Sequence, residues 1–113
     1  MSTTFNVGDL IVHRVIESEG PLFDPLTFFP TLTQDVLNDN LSWLRPVFID
    51  PASGQLMLCI QSYVVRTQHH TILIDSCVGN HKERANYPFW HQMTSNRYER
   101  NLAAADVRVN DID

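Results

Sequence analysis

What this chain lacks bounds it first. No uninterrupted apolar run exceeds a few residues, far below the ~20 that a membrane-spanning helix requires. The N-terminal MSTTFNVGDL has no positively charged stretch leading into an apolar one, so no secretory leader is expected. The eight Lys and Arg residues are scattered through a chain of net charge −5, leaving no basic stripe that could neutralise phosphates. Nucleic acid and membrane are therefore not expected partners. The two cysteines, Cys59 and Cys77, are too distant in sequence for a CxxC metal knuckle or redox pair. Together these absences predict a cytoplasmic protein with reduced thiols.

Several chemistries are absent as well. There is no GxSxG elbow for a nucleophilic serine and no glycine-rich loop to cradle a phosphate. The five histidines never occur as HxH or HxxxH, the close spacings that put two imidazoles on one side of the backbone for zinc. His69 and His70 are adjacent and point to opposite faces of an extended chain, while His13 falls mid-strand and His81 and His91 fall in a loop. Exposed or locally bonded imidazoles are the plainer expectation for all five, and no metal site is expected from these residues alone.

What is present is a chain of 113 residues, 43% hydrophobic and 19% charged, in the range of one globular domain spanning 1–113. DLIVHRVI, residues 9–16, alternates with the period of a strand. ESEGPLFDPLTFFP, with three prolines and a glycine, reads as a loop carrying Phe23, Phe28 and Phe29. Thr33 as an N-cap, Asp35 in the first turn and Val36, Leu37, Leu41 and Leu44 at helical spacing predict a helix over 33–44. Trp43 falls off that stripe, on the helix's flank.

Beyond Pro46, VFID, a turn at 51–54, QLMLCIQSYVVRT and TILID predict a β-meander. Leu56, Leu58, Ile60 and Val64 share one face of the long strand, Ile72 and Ile74 share one of the last, and a tight turn is expected to join these sets into one apolar face. The same pairing puts Cys59 and Cys77 on one face, which keeps a disulfide open as the lesser alternative to reduced thiols. Residues 79–93 read as a long loop. Asn96 with Glu99 suggests a capping box, and Tyr98, Leu102 and Ala105 a helix over 97–105. Val107, Val109 and Ile112 alternate with polar residues, as at the start of a further strand.

TILIDSCVGN, the helix with NLAAADV and the terminal DID, in this order of elements, resemble the N-terminal portion of the metallo-β-lactamase superfamily, in its lactonase-like and organophosphate-hydrolase-like branch. The resemblance runs from about Val7 to Asp113 and implies an α+β fold: the N-terminal half of an αββα sandwich, mostly antiparallel sheet with two short helices. It implies that Asp75 supports the metal-binding loop by hydrogen bonds without ligating the metal, and that Phe28 and Phe29 border the substrate pocket. It assigns no role to Cys77 or His81.

The family's HxHxDH motif does not occur here, so no catalytic residue or metal ligand is expected in this chain. The expectation is a fragment, inactive alone, whose parent carries a two-zinc site and opens a lactone, ester or phosphotriester, a small-molecule substrate, with metal-bound hydroxide. An uncovered sheet face would then expose the fragment to self-association. Asp106 stands where family members tend to have glycine after the Ala-rich helix. The alternative is a small non-catalytic binding or interaction module.

Overall fold

The computed structural model describes residues 3–113. Its elements are β1 (Thr4–Val7), β2 (Leu10–Phe23), α1 (Pro25–Phe28), α2 (Gln34–Leu44), β3 (Leu56–Arg66), β4 (Thr71–Ile74), α3 (Arg97–Ala104) and a closing 3-10 turn (Val109–Asp111). The strands form one antiparallel sheet in the order β1-β2-β3-β4, so the chain is α+β with few short helices. Contacts divide the chain into two compact units, one of residues up to Ser18 together with Ile60–Asp113, the other Glu19–Cys59.

In the first unit, β1 pairs with β2 in the register Thr4↔His13 to Val7↔Leu10, so Gly8 and Asp9 alone make the turn. Gly8 adopts φ 58, the left-handed conformation that two-residue hairpins demand. This hairpin is absent from the sequence expectation, although Gly-Asp between apolar runs is its signal. β3 and β4 pair as Tyr63↔Ile74, Val64↔Leu73, Val65↔Ile72 and Arg66↔Thr71. The loop between them is fastened by Thr67, whose hydroxyl accepts from His69 N at 3.2 Å and His70 N at 2.9 Å.

That register corrects the expected face. Directly opposed residues share a face, so Val64 stands with Leu73, not with Ile72 and Ile74. A four-residue loop instead of a tighter turn shifts the pairing by one, which turns every side chain of β4 over. Val15, Val64, Leu102 and Val107 form the buried core of this unit, with Leu73, Tyr98, Ala105 and Ile112 packed against it. α3 therefore covers the Val64 face. The opposite face carries Phe5, Val7, Ile72 and Ile74, exposed by 44%, 57%, 41% and 52%.

α3 follows the expected stripe, with Leu102 buried and Tyr98 and Ala105 against the core. The capping box is not made. Asn96 gives no side-chain cap, and Ser95 Oγ instead accepts from Arg97 N at 3.2 Å. At the other end, Asp106 N donates to Ala103 O at 2.9 Å and Val107 N to Leu102 O at 3.3 Å, the two bonds of a Schellman cap. Asp106 takes the left-handed position with φ 56, and Arg66 Nη2 donates to the Ala105 and Asp106 carbonyls. The expected strand at 107–112 is a 3-10 turn instead. Arg108 grips the Asp111 carboxylate through its backbone N, Nε and Nη2, and that local ion pair outcompetes extension.

In the second unit, the expected loop over 17–30 is a correction of another kind. β2 continues through Phe23, and Pro25–Phe28 form one helical turn capped by Asp24. Gly20, at φ 146, reaches a backbone state that only glycine takes easily, and this lets the strand run on past Pro21, which donates no ladder bond. α2 begins where expected. Thr33 Oγ1 accepts from Val36 N at 3.3 Å, Asp35 lies in the first turn, and Leu37 is buried. Trp43 is exposed on the flank, with Nε1 donating to Asn40 Oδ1 at 2.7 Å and its ring edge-on to Phe48. VFID makes only a single bridge, Ile49↔Leu56.

Candidate functional site

The stretch after β4 holds the most constrained backbone of the chain. Asp75, Cys77, Gly79 and His81 alternate in left-handed conformation, with φ 67, 61, 78 and 57. Glycine adopts this state freely and Asp and His are among the less penalised residues, whereas Cys has no such ease. Strained backbone of this kind persists only where surrounding contacts over-determine it.

Those contacts are specific. Asp75 Oδ1 accepts from Cys77 N at 2.7 Å, an Asx turn that supports both residues in their unusual state. The exposed carboxylate of Asp75 takes no hydrogen bond on Oδ2 among the described residues. Glu17, in β2, is only 4% exposed, and both its oxygens are used: Oε2 accepts from Val78 N at 2.9 Å and Oε1 from Gly79 N at 3.0 Å. A buried carboxylate is costly unless it is hydrogen-bonded, and these two charge-assisted bonds meet that need. At Gly79 an added Cβ would come within 2.8 Å of Lys82 Nζ, on top of the positive φ.

The rest of the loop is laced to itself. Asn80 and Ser95 exchange bonds, Nδ2 to Ser95 O at 2.7 Å and Ser95 N to Asn80 Oδ1 at 3.1 Å. Arg84 Nη2 and Lys82 Nζ both donate to Val78 O. His91 Nδ1 accepts from Arg84 N, His81 N donates to Met93 O, and the rings of Tyr87, Phe89 and Trp90 pack together edge-on and tilted. Residues 79–93 thus contain no helix or strand, as expected, yet are tightly organised.

Behind the loop, Tyr98 Oη and Ser62 Oγ lie 2.8 Å apart, with Ser62 fully buried. Burial raises the Tyr98 phenol above its ordinary value, the Ser62 bond opposes this, and electrostatic interaction with Cys77, Glu17 and Asp75 adds to the rise. Asn101 Nδ2 donates to Ile16 O at 2.7 Å, tying α3 to the strand beside Glu17.

Among the described residues no three His, Cys, Asp or Glu side chains gather into a group that could hold a metal ion. The donors present here do not by themselves fit a zinc centre. The histidines are placed singly: His13 Nδ1 lies 3.0 Å from Thr4 Oγ1, His70 Nδ1 lies 3.5 Å from Asp113 Oδ2, and His69 sits in the β3–β4 loop. Asp113 also accepts from Thr71 N at 2.8 Å and donates its own N–H to Thr71 O, so the terminal DID fastens the start of β4.

The aromatic pair expected at a pocket rim belongs to the second unit. Phe28 packs on Phe23 and stands edge-on to Phe29, with centroids 5.2 and 4.9 Å apart. Phe29 lines an apolar cavity of about 330 Å³ with Leu32, Val36, Trp43, Phe48 and Leu56; Phe28 is not among its lining residues. Neither cysteine is in a disulfide. Cys59 Sγ lies 3.9 Å from Glu19 Oε2 in the same unit.

Sequence reasoning missed Glu17, yet a signal existed. It lies two residues beyond Val15 on the same strand face, so the period of two already directed a carboxylate inward. Its partners could not be foreseen, because they are backbone amides 61 and 62 residues away. Compared with known protein families, curated proteins and solved structures, the chain matches none.

Proposed function

We propose that this chain forms the N-terminal sheet layer of a zinc-dependent hydrolase of the metallo-β-lactamase type, acting on a lactone, ester or phosphotriester. One observation carries the reading beyond the resemblance of TILIDSCVGN, NLAAADV and DID. The sheet is covered by α3 on its Val64 face, while on the other face Phe5 and Val7 of β1 and Ile72 and Ile74 of β4 stand exposed along the two edges, with the hydrogen-bonded Arg14, Gln61 and Tyr63 between them. Exposed apolar side chains on the second face of an antiparallel sheet suit a further covering layer, and a second sheet packed about 10 Å away is the usual cover.

In this reading the chain's own residues support and do not react. Asp75 closes a turn on Cys77 through Oδ1, and the loop behind it is held by Glu17. The donors of a zinc centre would come from outside these residues, so no chemical step is assigned to this chain. A non-catalytic binding module is the second reading, favoured by the apolar cavity beside Phe29.

The coding DNA beyond Asp113 discriminates between them. The hydrolase reading expects an in-frame HxHxDH within a few codons, and the polypeptide spanning both parts should bind zinc and hydrolyse a lactone or phosphotriester. An unrelated continuation, or a spanning polypeptide without zinc or hydrolysis, would leave the module.

A further inference from the structure

We infer that Glu17 is a positioning residue for Asp75, acting through the backbone of residues 77–79. The inference rests on the hydrolase reading for the purpose of that positioning, but its physical content stands on the loop alone. Glu17 is the one buried carboxylate among the described residues, and the loop groups it bonds are backbone amides. Its two oxygens take the consecutive amides of Val78 and Gly79, immediately after the turn that Asp75 closes on Cys77. Consecutive amides beside a left-handed residue form a concavity that binds an anion, and here the anion is internal.

The consequence follows from the backbone. Four left-handed residues at every second position, Asp75 to His81, are not a state that a free loop keeps. The Asx turn fixes Asp75 relative to Cys77 only. Glu17 anchors the next two residues to β2, and so fixes the turn relative to the sheet. Without that anchor Asp75 keeps its local turn but loses its place at the end of β4.

The test compares Glu17→Gln with Val64→Ala, a core truncation that lowers stability without touching the loop. Glutamine keeps the shape, but one of its two polar atoms is an amide donor that faces an N–H instead of accepting from it. Two readouts work on the 113-residue chain whether or not it associates. In hydrogen exchange read by mass spectrometry, Glu17→Gln should speed exchange of the 75–81 segment about tenfold or more, leaving β3 near wild type. Alkylation of Cys77 by iodoacetamide should accelerate relative to Cys59, the internal reference in the same molecule.

Val64→Ala should raise exchange in β3 and α3 and leave the ratio of the two thiol rates unchanged. Should Glu17→Gln fail to fold, Glu17→Asp, shorter by one methylene, gives the same comparison. A Glu17 variant that matches Val64→Ala in both readouts overturns the inference, since Glu17 would then be an ordinary core residue. The hydrolase reading fails separately, if the spanning polypeptide shows no hydrolysis while the loop responses appear as stated. Where hydrolysis is present, Glu17→Gln should lower kcat with little change in KM.

Discussion

Asp106 sits where the helix α3 must reverse, in left-handed conformation and with both bonds of the Schellman cap made. Glycine at this position has no Cβ to strain, and the capping bonds come from backbone that the substitution leaves intact. Asp106→Gly should therefore raise stability by about 0.5–1 kcal/mol in urea denaturation, the gain reduced by the greater freedom of glycine in the unfolded chain. His13 offers a second prediction at this scale. Burial, and then the positive charge of Arg66, hold its imidazole below the ordinary value of 6.5. The unfolded chain therefore takes up the proton first as pH falls. Stability is full above pH 6.5 and is lost as pH drops through the folded value, and His13→Gln should flatten that slope in thermal denaturation. The sequence displayed both residues plainly, Asp106 through the departure from glycine and His13 through its mid-strand place. What it could not display was Glu17's function, because a carboxylate on an inward face has meaning only once its amide partners arrive.

At the scale of elements, helix α2 was legible from local chemistry alone, since the Thr33 cap, the Asp35 charge and the apolar spacing all act within one turn or two. Strand register was not legible. The period of two in TILI is unambiguous, but which half of the alternation faces inward depends on the length of the Thr67–His70 loop and its hydroxyl bonds. The register makes a sharp pair of expectations for neighbouring residues. Leu73→Ala, on the α3 face, should cost about 2 kcal/mol or more, while Ile72→Thr, on the open face, should stay within about 0.5 kcal/mol. Equal costs in urea denaturation would reverse the assignment of faces. Local ionic contacts likewise overrode pattern at the end of the chain: Val107 and Val109 alternate as a strand would, but Arg108 closing on Asp111 curls the backbone and leaves Val109 exposed.

For the molecule as a whole, the open sheet face decides behaviour in solution. The exposed apolar side chains Phe5 and Val7 on one edge strand and Ile72 and Ile74 on the other invite association, because burying apolar area is worth roughly 25 cal/mol per Å². The isolated chain should associate with rising concentration in analytical ultracentrifugation, and Val7→Thr, Ile72→Thr and Ile74→Thr together should weaken that association. A monodisperse wild-type monomer with a sharp unfolding transition would count against a missing sheet layer. No helix among the described residues is long and apolar enough to cross a membrane. By itself the sequence determined the α+β composition, the cap and stripe of α2, the stripe of α3, and the loop after β4, because each depends on residues within a few positions of one another. Only the tertiary structure decided the face that α3 covers, the path of β2 through Gly20, and the anchoring of residues 77–79 by Glu17. Those depend on pairing across long separations, where one residue of register inverts a strand and where the partner of a buried charge is a backbone amide that no side-chain pattern records.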